Sequence, residues 1–219
     1  MTPKQALKIL RILYPIWMVF GAFSLMYVPA KLITTDAGET ARNIIANQLL
    51  FKFGIVGSLL TQLLFIFTVI MLYHFFKSVS KMCTLNMLVF SLVSVPIAMV
   101  STLGLIAALK LAPSDESLMM LFLSLYKQGI IIASIFWGLW LLPLGNLARQ
   151  SGYFPKFIGP LLMIAGAGYF FGSFAQLLLS SPEKIMPLFD FLTLGEIVFI
   201  FWLLIKGAKL PAENEIINK

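Results

Sequence analysis

Six long apolar runs, separated by short polar stretches, take up most of the chain and constrain its fold more than any other feature. A helix of about 20 apolar residues, rising about 1.5 Å per residue, spans a bilayer hydrocarbon core of roughly 30 Å. Each run therefore predicts a transmembrane helix. Within a single transmembrane domain covering residues 1–219, the predicted spans are 12–28, 49–76, 86–109, 118–144, 158–179 and 188–205.

Composition supports the same class of protein. Of the 219 residues, 60% are hydrophobic and only 11% are charged, whereas soluble domains carry roughly 25% charged residues. A net charge of +7 would suggest a nucleic-acid partner in a soluble protein, but here the cations flank apolar runs and no basic stripe is interleaved with aromatic residues. We therefore predict an all-α, polytopic transmembrane helix bundle embedded in a lipid bilayer, with no nucleic-acid partner.

The distribution of basic residues predicts the orientation. Lysine and arginine are concentrated at the N-terminus, in the second and fourth connections and in the C-terminal tail, as at Lys4, Lys77, Arg149 and Lys219. On the opposite side, basic residues are balanced by acids. The positive-inside rule then puts both termini in the cytoplasm. We expect a multi-pass protein of the bacterial cytoplasmic (inner) membrane.

The longest connection, residues 29–48, is external in this topology. Thr35 and Asp36 have the side chains typical of a helix start, and apolar residues such as Ala41 and Ile44 follow at helical spacing. We expect a short amphipathic helix that lies on the outer membrane face or across the mouth of the bundle. A solvated loop is the alternative interpretation.

One carboxylate, Glu196, lies near the centre of the last span. An ionised carboxylate facing lipid at that depth is strongly unfavourable, so Glu196 should face the interior, either protonated or paired with a cation. Lys127 in the fourth span is the first choice of cation, and Lys52 in the second span is another. The candidate ligand-binding vestibule comprises the charged and amide residues in the outer half or the middle of their spans: Glu196, Lys127, Lys52, Asp190, Gln62, Gln128 and Gln176.

The alternative is that these polar residues are structural. Lysine side chains can extend to the headgroups, and Glu196 can form one buried structural pair. Gly168 and Gly172 have the spacing that lets two membrane helices approach closely, so we interpret them as helix-packing residues. No familiar catalytic motif is present, and the lone His74 and Cys83 lack companions for a metal or redox site. We predict no metal and no cofactor.

The chain also resembles a bacterial family of small six-helix membrane proteins known as a domain of unknown function. The resemblance rests on SGYFPKFIGPLLMIAGAGYFFGSF at 151–174, on LGEIVFIFWLLIKG at 194–207, and on YVPAKLI, TARNI and LLFKFGIVG within 27–57. It implies an inner-membrane protein in which Lys52 and Glu196 belong to the family pattern. It brings no established activity.

The resemblance also implies histidines in the fourth helix at positions where this chain has Tyr126 and Trp140. That departure removes two residues that could have bound a metal ion.

Three functional hypotheses follow. In the first, the vestibule binds or transports a small polar or amphipathic molecule, with proton coupling at Glu196. In the second, the protein is an interaction or regulatory protein. Its glycine-rich fifth helix and the external segment 29–48 dock another membrane protein, a lipid or a second copy of itself, and the intramembrane charges are structural. In the third, Glu196 is the general acid or base of an intramembrane enzyme. The third is the weakest, because no second catalytic group stands at a recognisable spacing.

Overall fold

The computed structural model describes residues 1–210; residues 211–219, which include Lys219, lie outside the described part. Residues 1–210 form helices and short connections with no β-strand, which confirms the all-α prediction. The helices are α1 (Pro3–Gly21), α2 (Val28–Leu32), α3 (Ala37–Ala46), α4 (Gln48–Phe76), α5 (Lys81–Leu111), α6 (Glu116–Ser151), α7 (Ile158–Leu178) and α8 (Met186–Ile205).

Six helical stretches in residues 1–210 are long and apolar enough to cross a membrane. The first is the continuous stretch Pro3–Leu32, and the other five are α4 to α8. The chain is therefore a multi-pass membrane protein, as its apolar runs predict. Several helices extend beyond the apolar runs, because the polar residues that flank a run can still form the main-chain hydrogen bonds of a helix.

The first span is not a uniform α-helix. A π-helical turn, Ala22–Tyr27, separates α1 from α2, and the amide of Val28 donates to the carbonyl of Phe23. Ser24, in the π turn, is buried; its hydroxyl lies 3.4 Å from the hydroxyl of Thr61 on α4. A short 3₁₀ turn, Pro182–Lys184, precedes α8.

The chain divides into two compact units. The first comprises Met1–Ile12, Thr68–Ser91 and the residues from Ser134 to the end of the described part. The second comprises Leu13–Phe67 and Leu92–Ala133.

The second unit has an apolar core supplied by α2 to α6. Val28, Ile44, Phe51, Leu105 and Met119 are among the residues that pack in it, and each is at most 4% exposed. Helix α3 contributes one face to this core. Its first turn is capped by Asp36, whose side chain accepts a 2.6 Å hydrogen bond from the main-chain amide of Glu39. Burial of that face holds α3 against the other helices of the unit.

In the first unit, α6 and α7 approach closely through glycines. A methyl group added to Gly138 would lie 2.6 Å from the carbonyl oxygen of Gly166, and one added to Gly145 would lie 2.7 Å from that of Gly159. Since real side chains do not tolerate such distances, only glycine allows the two backbones to be this close. This contact fixes the position of α7, which carries part of the candidate site.

Candidate functional site

Glu196 and Tyr169 lie at the middle of two neighbouring helices. Glu196 is ten residues from the start of α8 and nine from its end, or about 15 Å and 14 Å along the axis. Tyr169 is eleven residues from the start of α7 and nine from its end. The Glu196 side chain is only 9% exposed. Both side chains are therefore expected near the middle of the bilayer hydrocarbon core.

The side chains of Tyr169 and Glu196 lie close to each other. A phenolic hydroxyl can donate to a carboxylate and can also accept from a carboxylic acid. The pair is therefore suited to a carboxyl group in either protonation state. Tyr169 also lies close to Thr193, whose hydroxyl donates to the carbonyl of Asp190 at 2.7 Å.

Helix α6 positions the tyrosine. The Trp137 ring meets the Tyr169 ring edge to face, with centroids 6.5 Å apart. The Ser173 hydroxyl donates to the Tyr169 carbonyl at 2.8 Å and lies 2.7 Å from the hydroxyl of Ser134. The Trp137 contact reduces the freedom of the Tyr169 ring to turn away from Glu196, and the contact between the two serines holds α7 against α6.

Glycines also bring α7 and α8 together at this point. A methyl group on Gly168 would lie 2.8 Å from Cβ of Leu192, and one on Gly172 would lie 3.1 Å from Cβ of Phe189. On the facing helix, a methyl on Gly195 would overlap the Leu161 carbonyl oxygen. Helix α8 therefore covers the glycine pair within the same chain. Docking of a partner, the interaction hypothesis, stays a prediction.

No basic side chain of the first unit pairs with Glu196 in the part of the chain that the structure describes; its polar neighbour is the Tyr169 hydroxyl. Gln176 is half-buried and lies seven residues after Tyr169, on the same side of α7. Asp190 is exposed and reaches the same neighbourhood through Thr193. Glu196, Asp190 and Gln176 thus all belong to the first unit, but Asp190 and Gln176 lie about two helical turns along their helices from Glu196 and Tyr169, respectively.

The other four predicted residues belong to the second unit. Lys52, Lys127 and Gln128 are exposed, whereas Gln62 is 4% exposed. The pairing of Glu196 with a lysine, and a vestibule shared by all seven residues, stay predictions.

Sequence reasoning missed Tyr169 and Thr193. Tyrosine in a membrane span is ordinarily read as an interfacial or core aromatic residue, and Thr193 was not singled out. The available signals were a polar-tipped ring beside Gly168 at mid-span and a hydroxyl three residues before Glu196. Among residues 1–210, no group of three or more His, Cys, Asp or Glu side chains is arranged to hold a metal ion.

Comparison with known proteins identifies the family. The family model described as "Domain of unknown function (DUF4386)" matches residues 12–207, which include Tyr169 and Glu196. A relative from Archaeoglobus fulgidus, whose printed name is "Uncharacterized protein", is 33% identical over 158 residues, or 72% of this chain and 86% of its own length. No solved structure matches the chain. Because the family match covers most of the chain, this multi-pass membrane protein belongs to the DUF4386 family.

Proposed function

We propose that the protein binds a small polar or amphipathic molecule from the outer side of the membrane and transports it, with Glu196 as the residue that meets the ligand or exchanges a proton. The observation that carries the proposal is a buried carboxyl group at mid-membrane whose polar neighbour is a neutral tyrosine. Ionisable residues inside membrane spans are costly and mark ligand, ion or proton pathways. A carboxylate kept ionised at this depth for stability alone would be expected to have a cation beside it.

The polar groups around Glu196 lie on one side of it. Thr193 and Asp190 precede it on α8, and Gln176 lies toward the end of α7. The residues that follow Glu196, up to Ile205, are all apolar. This asymmetry favours access to Glu196 from the side that holds the α7–α8 connection. The positive-inside rule makes that side extracytoplasmic, with both termini cytoplasmic.

The chemistry of the site favours a ligand with a hydrogen-bond donor or a positive charge, because a carboxylate only accepts hydrogen bonds. Protonation of Glu196 would remove that attraction and leave a neutral pair with Tyr169. Binding of ligand and binding of a proton would then compete at one group, which is the simplest form of proton coupling.

The test uses the purified full-length protein. Compounds are screened for ligand-dependent thermal stabilisation, and proton flux is measured in proteoliposomes that contain a pH-sensitive dye. Glu196→Gln keeps the size of the side chain but cannot ionise, and it replaces one acceptor oxygen by a donor nitrogen. Hydrogen bonds to charged groups contribute about 1.5–3 kcal/mol, so the apparent affinity for a stabilising compound should fall at least about tenfold, and proton flux should be lost.

Two further variants make the result specific. Tyr169→Phe removes only the hydroxyl beside Glu196 and should cause a smaller loss of affinity, since a neutral hydrogen bond contributes about 1 kcal/mol. Glu183→Gln makes the same chemical change at an exposed residue of the 3₁₀ turn and should behave as the wild type. Unchanged ligand binding and proton flux in Glu196→Gln would contradict the proposal.

A further inference from the structure

The second unit contains a buried polar group that the proposed function does not use. On α4, Ile55, Ser58, Gln62 and Phe65 follow one another at spacings of three or four residues and therefore share one face of the helix. Each is at least nine-tenths buried. Ser58 and Gln62 are thus polar residues within an otherwise apolar, buried stripe.

Gln62 has an unused hydrogen-bonding group. Its carbonyl oxygen Oε1 is fully buried and accepts no hydrogen bond from the residues that the structure describes. Exchanging the amide oxygen and nitrogen of Gln62 would put a donor at the same place. In the orientation that the structure shows, this buried amide oxygen is without a partner among the described residues.

Two neighbouring residues extend the polar group. The Ser58 hydroxyl lies near that of Tyr126, yet it is buried and forms no hydrogen bond in the described part of the chain. The Trp17 ring stacks on Phe65, the stripe residue after Gln62, with centroids 5.4 Å apart, and its buried Nε1 has no partner in the described part of the chain. A buried hydrogen-bond donor, Nε1 of Trp17, and a buried acceptor, Oε1 of Gln62, therefore both belong to the second unit.

These groups constrain what they can bind. A buried polar group left unpaired costs about 1–3 kcal/mol, and the large majority of such groups in folded proteins have a partner. Ser58, Gln62, Tyr126 and Trp17 are all neutral. A charged ligand would lose its hydration without gaining an opposite charge, whereas a neutral molecule that donates and accepts hydrogen bonds would match them.

We propose that Gln62, beside Ser58, forms a second binding site that takes a small neutral hydrogen-bonding molecule. This site lies in a different unit from Glu196, and the inference does not depend on the proposed function. The chemistry fits water, and it also fits a small amide or alcohol.

The test compares Gln62→Met with the wild type by thermal unfolding of the purified full-length protein. Methionine has a similar volume but no hydrogen-bonding amide, so packing is nearly retained. Gln48→Met makes the same change at an exposed residue of the same helix and is the matched control. Unfolding is followed without additive and with increasing acetamide, acetate or ethylammonium, which have similar sizes and different charges.

If a small organic molecule occupies the site, acetamide should raise the melting temperature of the wild type and of Gln48→Met, and the rise should saturate with concentration. The rise should be absent in Gln62→Met, and the two charged compounds should give none. If water occupies the site, acetamide should have no effect. Gln62→Met should then melt at a lower temperature than the wild type, because the water-mediated hydrogen bonds of the amide are lost. If Gln62→Met melts at or above the wild type and acetamide does not distinguish them, the amide has no bound partner and the proposal is overturned.

Discussion

Replacing Gly168 by alanine should loosen the contact between α7 and α8. The added methyl would lie 2.8 Å from Cβ of Leu192 and 3.0 Å from the carbonyl oxygen of Phe189. Ordinary contacts begin near 3.4 Å, so the two helices must separate by roughly half an ångström. Overpacking of this kind costs about 1–3 kcal/mol, while the change from glycine to alanine in a helix returns up to about 1 kcal/mol.

With the full return from glycine to alanine, the net expectation for Gly168→Ala is a loss of about 0–2 kcal/mol in the free energy of unfolding, and a further loss where the separation weakens the Tyr169–Glu196 contact. Unfolding in mixed micelles of increasing SDS content, followed by helical circular dichroism, measures this change. Gly21→Ala is the control, because its methyl would lie 3.7 Å from Cγ2 of Thr61, an ordinary contact. A Gly168→Ala protein that is as stable as Gly21→Ala would refute the proposed tight contact.

Two other contacts give predictions of their own. The hydroxyls of Ser134 and Ser173 lie 2.7 Å apart. A double-mutant cycle with Ser134→Ala and Ser173→Ala should give a coupling energy of about 0.6 kcal/mol, the average measured for hydrogen bonds between membrane helices. Additive effects of the two substitutions would argue against the contact. Asp36→Ala should remove the cap of α3 at a cost of about 1 kcal/mol, whereas Asp36→Asn should keep most of it. Amide hydrogen exchange in α3 distinguishes the two variants, and equal protection in both would contradict the capping role.

The helical class and the number of spans could be predicted because they depend on a strong one-dimensional signal. Apolar runs long enough to cross a bilayer admit few other structures, and the six stretches from Pro3–Leu32 to Met186–Ile205 follow them. The π turn Ala22–Tyr27 could not be predicted in the same way. Its hydrogen bonds differ from those of an α-helix by one residue, and the composition of AFSLMY carries no distinguishing signal.

The candidate site was predicted only in part for a related reason. An acid near the middle of an apolar span is visible in the sequence, so Glu196 could be predicted as a site residue. Its partner depends on which helix lies alongside α8 and on how that helix is rotated. The glycines at 168 and 172 predict a close contact but do not identify the helix that makes it. Tyr169 becomes a candidate only once α7 and α8 are known to be neighbours.

The glycines along α7 and α8 have a mechanical consequence. Leu161 faces Gly195, Leu192 faces Gly168 and Phe189 faces Gly172, at distances that leave no space for a methyl group. Sliding either helix along the other would drive one of these bulky groups into backbone. The two helices should therefore move together as one rigid pair. A conformational change that admitted the proposed ligand to Glu196 would have to displace α7 and α8 together rather than separate them.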